Sequence, residues 1–566
     1  MNDQKNLVFF VIIFISVMAG WHFFYDAPKI EKELATSAAT TQTVNTPSSS
    51  PQLPVVTVDR SQALNSSTRV SIETPSLKGS INLKGASFDD LSLEKYKETT
   101  QDNSPNIVLL TPEQTKEPYF IQLGWTSADP NMQVPNAETI WTADRSTLTH
   151  QSEPVTLTWK NPQGVIFERK ISVDENYVFT IEQNVINHSA NPIQLAPFGQ
   201  VSRVETPVTQ GYYILHEGPI GFIENQLVEK KYTDLKENPE TKITSQGGWI
   251  GFTDKYWLTA LIPDQKTKSS FYFKDNKSSP RDHYETGFVG DVIQIAPGQT
   301  GSAKSHFFSG AKVLDLLDDY EAKLGVNHLD KAVDFGWFYF ITKPLFILLT
   351  IIYKYIGNFG LAILLLTVMI KAVFFPLANK SYRSMARMKD LQPKIEKLKE
   401  RFNDDKMRLN QEMMELYKKE GVNPAAGCLP ILIQIPVFFA LYKVFFVTIE
   451  MRHAPFYGWI HDLSAPDPTT IFNLFGLLPW SPPAVLMIGI LPILMGVSMW
   501  IQQRLNPTPM DPIQQKMFMV MPVMLTYLLS QFPAGLVIYW TWNNILSIGQ
   551  QWLIMKSSQK MVKAKS

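Results

Sequence analysis

Lys371 stands inside an apolar stretch, Leu361-Ala-Ile-Leu-Leu-Leu-Thr-Val-Met-Ile-Lys371-Ala-Val-Phe-Phe-Pro-Leu-Ala378, long enough to cross a bilayer. An ammonium in hydrocarbon costs at least about 2.5 kcal/mol, so it must face water, a counter-charge or a groove. Thr367 lies four residues earlier and shares its helix face. Near the C-terminus Trp540, Asn544, Ser547 and Gln551 line one face of another apolar run, with Asn543 and Gln550 beside them. Gln434 and Ser530-Gln531 lie within two further apolar runs. Together these groups could form a hydrophilic groove whose only strong charge is Lys371. Two plainer readings stand beside it. Lys371 is nine residues, about 13 Å of helix, from Lys380, so its stem could snorkel to the cytoplasmic headgroups. The amides and hydroxyls could serve only as interhelical hydrogen bonds.

Enzyme chemistry finds little support. The single cysteine, Cys428, excludes an intrachain disulfide framework and a cysteine metal cluster. No nucleophile elbow, phosphate-binding loop or HExxH motif occurs. His453 and His461-Asp462 fit no familiar metal spacing, and His150, His188 and His216 are scattered. The expectation is a protein that is not an enzyme and needs no cofactor or metal. With 52 basic and 52 acidic residues, no global field points to nucleic acid.

The elements that must carry these residues divide the 566-residue chain into two unlike halves. The first segment is a short charged start and an apolar run ending in Trp21, Phe23, Phe24 and Tyr25. It reads as an anchor over 1–28, with a cleaved signal as the alternative. A Ser/Thr/Ala/Pro-rich stretch over 29–54 reads as a flexible linker. Short β-rich runs between turn signals then extend over 55–310, among them Val155–Trp159, Tyr177–Ile181, Trp257–Ile262, Ser270–Phe273 and Asp291–Ile295. They imply a large all-β sandwich. Val313, Leu317, Tyr320 and Leu324, then Leu329, Val333 and Trp337, recur at helical spacing, so 311–343 is expected to form amphipathic helices. Their apolar face could rest on the membrane surface or on the β-domain. The membrane surface is favoured, because Trp337-Phe-Tyr-Phe340 precedes a span.

Five further spans follow: 344–378, 428–449, 483–502, 516–532 and 533–555. With the anchor they make a six-span α-helical bundle. The first is long for one helix and could hold an interfacial lead-in, since Lys354 interrupts it. The segment 379–427 carries 12 Lys/Arg, 503–515 with its flanking Lys516 adds two, and the tail 556–566 adds four, whereas 450–482 holds only Arg452. By the positive-inside rule the first three are cytoplasmic and 450–482 is external, as is the β-domain, with both termini inside.

Within 379–427, Met388, Leu391, Ile395, Leu398 and Phe402 are spaced 3, 4, 3 and 4, a heptad seam. Asn403-Asp404-Asp405 is a turn signal, after which Leu409, Met413 and Leu416 continue the seam. An antiparallel helical hairpin follows, separated from the membrane helix by a bend at Pro393. It could be a solvated spacer or a methionine-bearing recruitment surface.

The runs Lys380-Ser-Tyr-Arg-Ser-Met-Ala-Arg-Met-Lys-Asp-Leu-Gln-Pro-Lys-Ile395, Asn423-Pro-Ala-Ala-Gly-Cys428, Leu432-Ile-Gln-Ile-Pro436, Trp459-Ile-His-Asp-Leu-Ser464 and Phe532-Pro-Ala-Gly-Leu-Val-Ile-Tyr539 closely resemble the YidC/Oxa/Alb family of membrane-protein insertases. The anchor and the large β-domain resemble its Gram-negative form, which places the β-domain in the periplasm and the bundle in the inner membrane. The resemblance implies insertion of nascent membrane proteins without ATP or metal, alone or with the Sec translocon. It also implies contacts with the ribosome, the signal-recognition-particle receptor and membrane lipids. It places Lys371 at the position of the family's positive groove residue, where many relatives carry arginine. Lysine keeps the charge but loses the bidentate fork. Tyr539 and Trp540 match aromatic family positions, although relatives often have tyrosine at the latter. The expected client-binding set is Lys371, Thr367, Gln434, Tyr539, Trp540, Asn544 and Ser547. The hairpin residues Met388, Leu391, Ile395, Leu398, Phe402 and Met413 are expected to recruit. A small-molecule or ion transporter, or a membrane-anchored periplasmic binding module, is the rival reading.

Overall fold

The computed structural model describes residues 57–209, 215–402, 405–422, 429–476, 478, 480, 482–483, 487–506 and 512–563. The expected anchor and linker, and Cys428, lie outside them.

Alternating burial builds the first half. Along Val165–Val173 the side chains of Val165, Phe167, Arg169, Ile171 and Val173 turn inward while their neighbours are partly or fully exposed. The strands form an eleven-stranded and a nine-stranded sheet. Pairing is antiparallel except where Arg69–Glu73 meets Thr147–Thr149. The sheets face each other across an apolar core: the Phe88 ring of one meets Phe179 and Phe307 of the other at 5.6 and 4.7 Å. Arg169 breaks the apolar pattern and is fully buried, donating to the carbonyls of Ala86 and Leu123 beneath the Trp141 ring. A β-sandwich therefore occupies the expected half, its last strand running to Ala311.

Helix α1, Leu314–Leu324, corrects one expectation. Its stripe of Leu314, Leu317 and Tyr320 is buried in the β-domain core, with Tyr320 against Phe308 at 6.0 Å, so the sandwich rather than a membrane covers it. Each of these side chains contributes about 1.5–3 kcal/mol there, and periodicity alone does not name the partner. Downstream, Leu329–Ala332 is a 3₁₀ turn rather than a longer helix. Trp337 and Phe340 stay exposed.

The segment 344–378, long for one helix, is divided between two helices, the lead-in alternative rather than one tilted helix. Helix α2, Tyr339–Ile356, ends at Gly357, whose φ of 74° is the left-handed conformation that glycine tolerates at a helix C-terminus. Helix α3, Phe359–Arg401, then starts behind Asn358, whose side chain accepts the Leu361 N–H. Both ends of α2 are held by α1 and its neighbouring turn: Lys343 pairs with Asp318 and Asp330, and Lys354 with Asp315.

The helix break expected at Pro393 does not occur, and α3 continues for 43 residues through Pro376 and Pro393. An interior proline costs about 3 kcal/mol. Leu391 and Ile395, which flank it, offset that cost by burial against Met413 and Tyr417 of the hairpin partner and Val422 just beyond it, with Met388 and Leu398 packed around them. That partner is α4, Lys406–Lys419, capped by Asp405 on the Arg408 N–H. Phe402 lies at the turn beside Arg401 and Arg408, outside this cluster.

Four helices complete the described chain: α5, Leu429–Val447; α6, Ile490–Leu505; α7, Pro512–Leu529; and α8, Ala534–Lys563. Among the described residues, α2 and α3 are long and apolar enough to cross a membrane by length and composition; Gln434–Val447 and Gln515–Leu529 are shorter apolar stretches.

Candidate functional site

Lys371 projects from α3 toward α8, and its Nζ donates to Ser547 Oγ at 2.7 Å. Ser547 is buried and donates in turn to the Asn543 carbonyl one helical turn earlier, also at 2.7 Å. The Tyr382 hydroxyl interacts with the same serine. No carboxylate pairs with Lys371 among the described residues. A half-buried cation therefore rests on one neutral hydroxyl, with two ammonium hydrogens unused.

A small open recess adjoins it, lined on α3 by Ile370, Lys371, Phe374, Leu377, Ala378 and Tyr382 and on the neighbouring helices by Gln434, Val437 and Asn543. The lining is mixed: apolar walls with one ammonium, two amides and a phenol. Such a space favours a partly polar occupant, because each buried polar group must find a partner. Tyr382 is held by packing with Met385 and Ile554, which joins α3 to α8 at that end.

The other expected residues separate into distinct roles. Gln434 lines the cavity, and Tyr539, buried, interacts with it. The Trp540 ring meets Phe438 edge-on at 4.7 Å. Thr367 is buried and donates to its own helix at the Ile363 carbonyl, 2.7 Å away. Its hydroxyl is satisfied there and does not meet Lys371. Asn544 points to α6 and donates to Ser498 Oγ at 3.0 Å, and Gln551 donates to Asn506 Oδ1 at 3.0 Å. These two act between helices. A face deduced from spacing is too coarse to separate residues 543 and 547 from 544 and 551.

Tyr382 is the site residue that sequence reasoning missed. It lies eleven residues, three turns, after Lys371, so the spacing of 367, 371, 378 and 382 was an available signal. In the loop between α5 and α6, Asp467 was missed as well. It is buried and accepts from Trp459 Nε1 at 3.1 Å, from the Thr469 N–H and hydroxyl at 3.0 and 2.7 Å, and from the Leu491 N–H at 2.8 Å. It thereby fixes the loop to the first turn of α6. His453 and Asp462 meet twice: the His453 backbone N–H donates to Asp462 Oδ1 at 3.1 Å, and His453 Nε2 lies 4.0 Å from Asp462 Oδ2.

The β-domain is joined to the helices at this loop and at the end of α5. Arg452 donates to the Lys97 and Glu98 carbonyls at 2.6 and 3.1 Å and lies over the Trp257 ring. Lys443 pairs with Asp334 at 2.9 Å, and Lys255 lies 3.8 Å from the Phe446 ring centre. Burial pushes the Glu450 carboxyl up to about 7, against the opposing effect of hydrogen bonds from backbone, including that of Leu314 at the start of α1.

Comparison with known proteins agrees with this two-part architecture. Residues 69–348 match the YidC periplasmic domain family and residues 351–562 the 60Kd inner membrane protein family. A membrane protein insertase YidC of Beijerinckia indica is 49% identical over 98% of this chain and 96% of its own. The one from Rickettsia bellii is 50% identical over 98% and 99%, and that of Rhizobium meliloti 47% over 98% and 96%. At such identity along nearly the whole of both chains, the protein belongs to the YidC family of membrane protein insertases.

Proposed function

We propose that the protein inserts and folds nascent membrane proteins in the inner membrane, and that the cavity beside Lys371 receives the polar or acidic part of a client. The observation that carries this reading is an ammonium with unused hydrogens and no described carboxylate partner, set in a partly polar cavity between apolar helices. Carrying a charged segment through hydrocarbon is costly, and a polar recess that shortens the apolar path lowers the barrier. Binding to one ammonium is weak enough to reverse, while the client's apolar helix partitions into lipid.

Six spans serve this reading: the N-terminal anchor with α3, α5, α6, α7 and α8. The loop charge asymmetry puts both termini and the hairpin in the cytoplasm. Helix α2 is read as a periplasmic surface helix, because lysines eleven residues apart on it both pair with carboxylates of the periplasmic segment. That also accounts for the exposed Trp337 and Phe340 as interfacial anchors. The α3–α4 hairpin, with its basic surface and exposed Met407 and Met414, would recruit the ribosome, the signal-recognition-particle receptor and the Sec translocon.

The test is insertion of a short single-spanning client with an acidic translocated tail into lipid vesicles containing the purified protein alone. Tail protection from external protease is the expected result. Equal protection in empty vesicles would refute the reading. A protein lacking residues 57–311 separates the rival periplasmic binding module, which predicts complete loss of activity.

A further inference from the structure

Ser547 stands at a junction that the insertion reading does not require. A serine hydroxyl offers one donor and two acceptor sites. Here the donor goes to the Asn543 carbonyl at 2.7 Å, one acceptor site takes the Lys371 ammonium at 2.7 Å, and the Tyr382 hydroxyl interacts with the same oxygen. Tyr382 cannot swing freely, because its ring is buried with Met385 and Ile554 where α3 meets α8. Nor can Ser547, which its own helix orients. The lysine stem, by contrast, is flexible, and the exposed Lys380 nine residues on marks where α3 reaches polar surroundings. An unheld ammonium would extend toward that end and leave the cavity.

We propose that Ser547 is a positioning residue that holds the Lys371 ammonium at the cavity, and that Tyr382 supports it by keeping the serine hydroxyl in place. This answers how a lysine, lacking the planar fork of arginine, is kept at a fixed position in the recess. One ammonium hydrogen is committed to the serine and two remain for a client carboxylate or carbonyl. The proposal rests on the reading of Lys371 as the client-facing charge, but it concerns where the ammonium sits.

The experiment measures that position directly. Full-length protein in lipid vesicles is treated with a water-soluble sulfonated succinimidyl ester, and acylation of each lysine is followed by peptide mass spectrometry. Lys380, exposed on the same helix, is the internal reference. Ser547→Ala should raise the labelling of Lys371 relative to Lys380 about tenfold, the loss of one hydrogen bond to a charged group. Tyr382→Phe should raise it about threefold, and Ser547→Thr, which keeps the hydroxyl, should stay within twofold of the parent protein. An unchanged ratio in Ser547→Ala overturns the proposal. So does a ratio raised as far in Ser547→Thr, which would show loosened packing rather than a lost hydroxyl. Insertion activity is not the readout, so failure here leaves the proposed function standing, and the converse also holds.

Discussion

Replacing Lys371 by alanine isolates the groove charge from the rest of the fold. The ammonium donates one hydrogen bond, to Ser547 at 2.7 Å, and Ser547 keeps its bond to Asn543, so the truncation leaves no buried donor stranded. On the proposed reading, what is lost is the partner for a client carboxylate. A hydrogen bond to a charged group contributes about 1.5–3 kcal/mol, so insertion of a client with an acidic tail should slow by roughly tenfold to a hundredfold. A client with an uncharged tail should be nearly unaffected. Lys371→Glu should abolish insertion of the acidic client, since two carboxylates about 4 Å apart repel by about 4 kcal/mol at an effective dielectric constant of about 20. Lys371→Arg should retain it. The assay is protease protection of paired clients, identical except for tail charge, in vesicles containing each variant. If Lys371→Ala inserts the acidic client at the parent rate, the groove-charge argument is refuted for this protein.

Three further outcomes follow from the loop between α5 and α6. Asp467→Ala removes the acceptor of four donors and should lower unfolding stability by about 2–4 kcal/mol, visible as a lower thermal midpoint by Trp459 fluorescence, with Asp467→Asn intermediate. Glu450, whose folded-state value is raised to about 7 from an ordinary 4.5, binds its proton more tightly folded than unfolded. Its contribution is therefore present below about 4.5 and declines as pH rises toward about 7. Thermal midpoints should fall across that window in the parent protein and less steeply in Glu450→Gln; parallel slopes would contradict the assignment. Arg452→Ala removes two hydrogen bonds and a ring contact between the loop and the β-domain, and should speed amide exchange at the end of strand Ser87–Lys97, with a loss of about 1–2 kcal/mol at that joint.

Much of this protein was legible in its residues because the relevant signals are local. Short β-rich runs between turn signals marked the β-half, apolar length marked the membrane half, and 3-4-3-4 spacing marked the hairpin, whose Leu391, Ile395 and Met413 do pack together. A cation in an apolar run singled out Lys371 without any structure. The failures share one cause, that a face or a period does not name what lies against it. The stripe of α1 fits a membrane surface as well as a sheet, and only tertiary packing buried Leu317 and Tyr320 in the sandwich. Pro393 reads as a helix start, yet burial on either side of it carries α3 through. Thr367 and Asn544 share faces with Lys371 and Ser547 by spacing, but packing assigned the first to its own helix and the second to Ser498. What the sequence alone determined is that a lone lysine must find polar company. Which hydroxyl provides it, on a helix 176 residues away, was decided by the docking of α3 against α8, because a hydrogen bond exists only where packing brings donor and acceptor within about 3 Å.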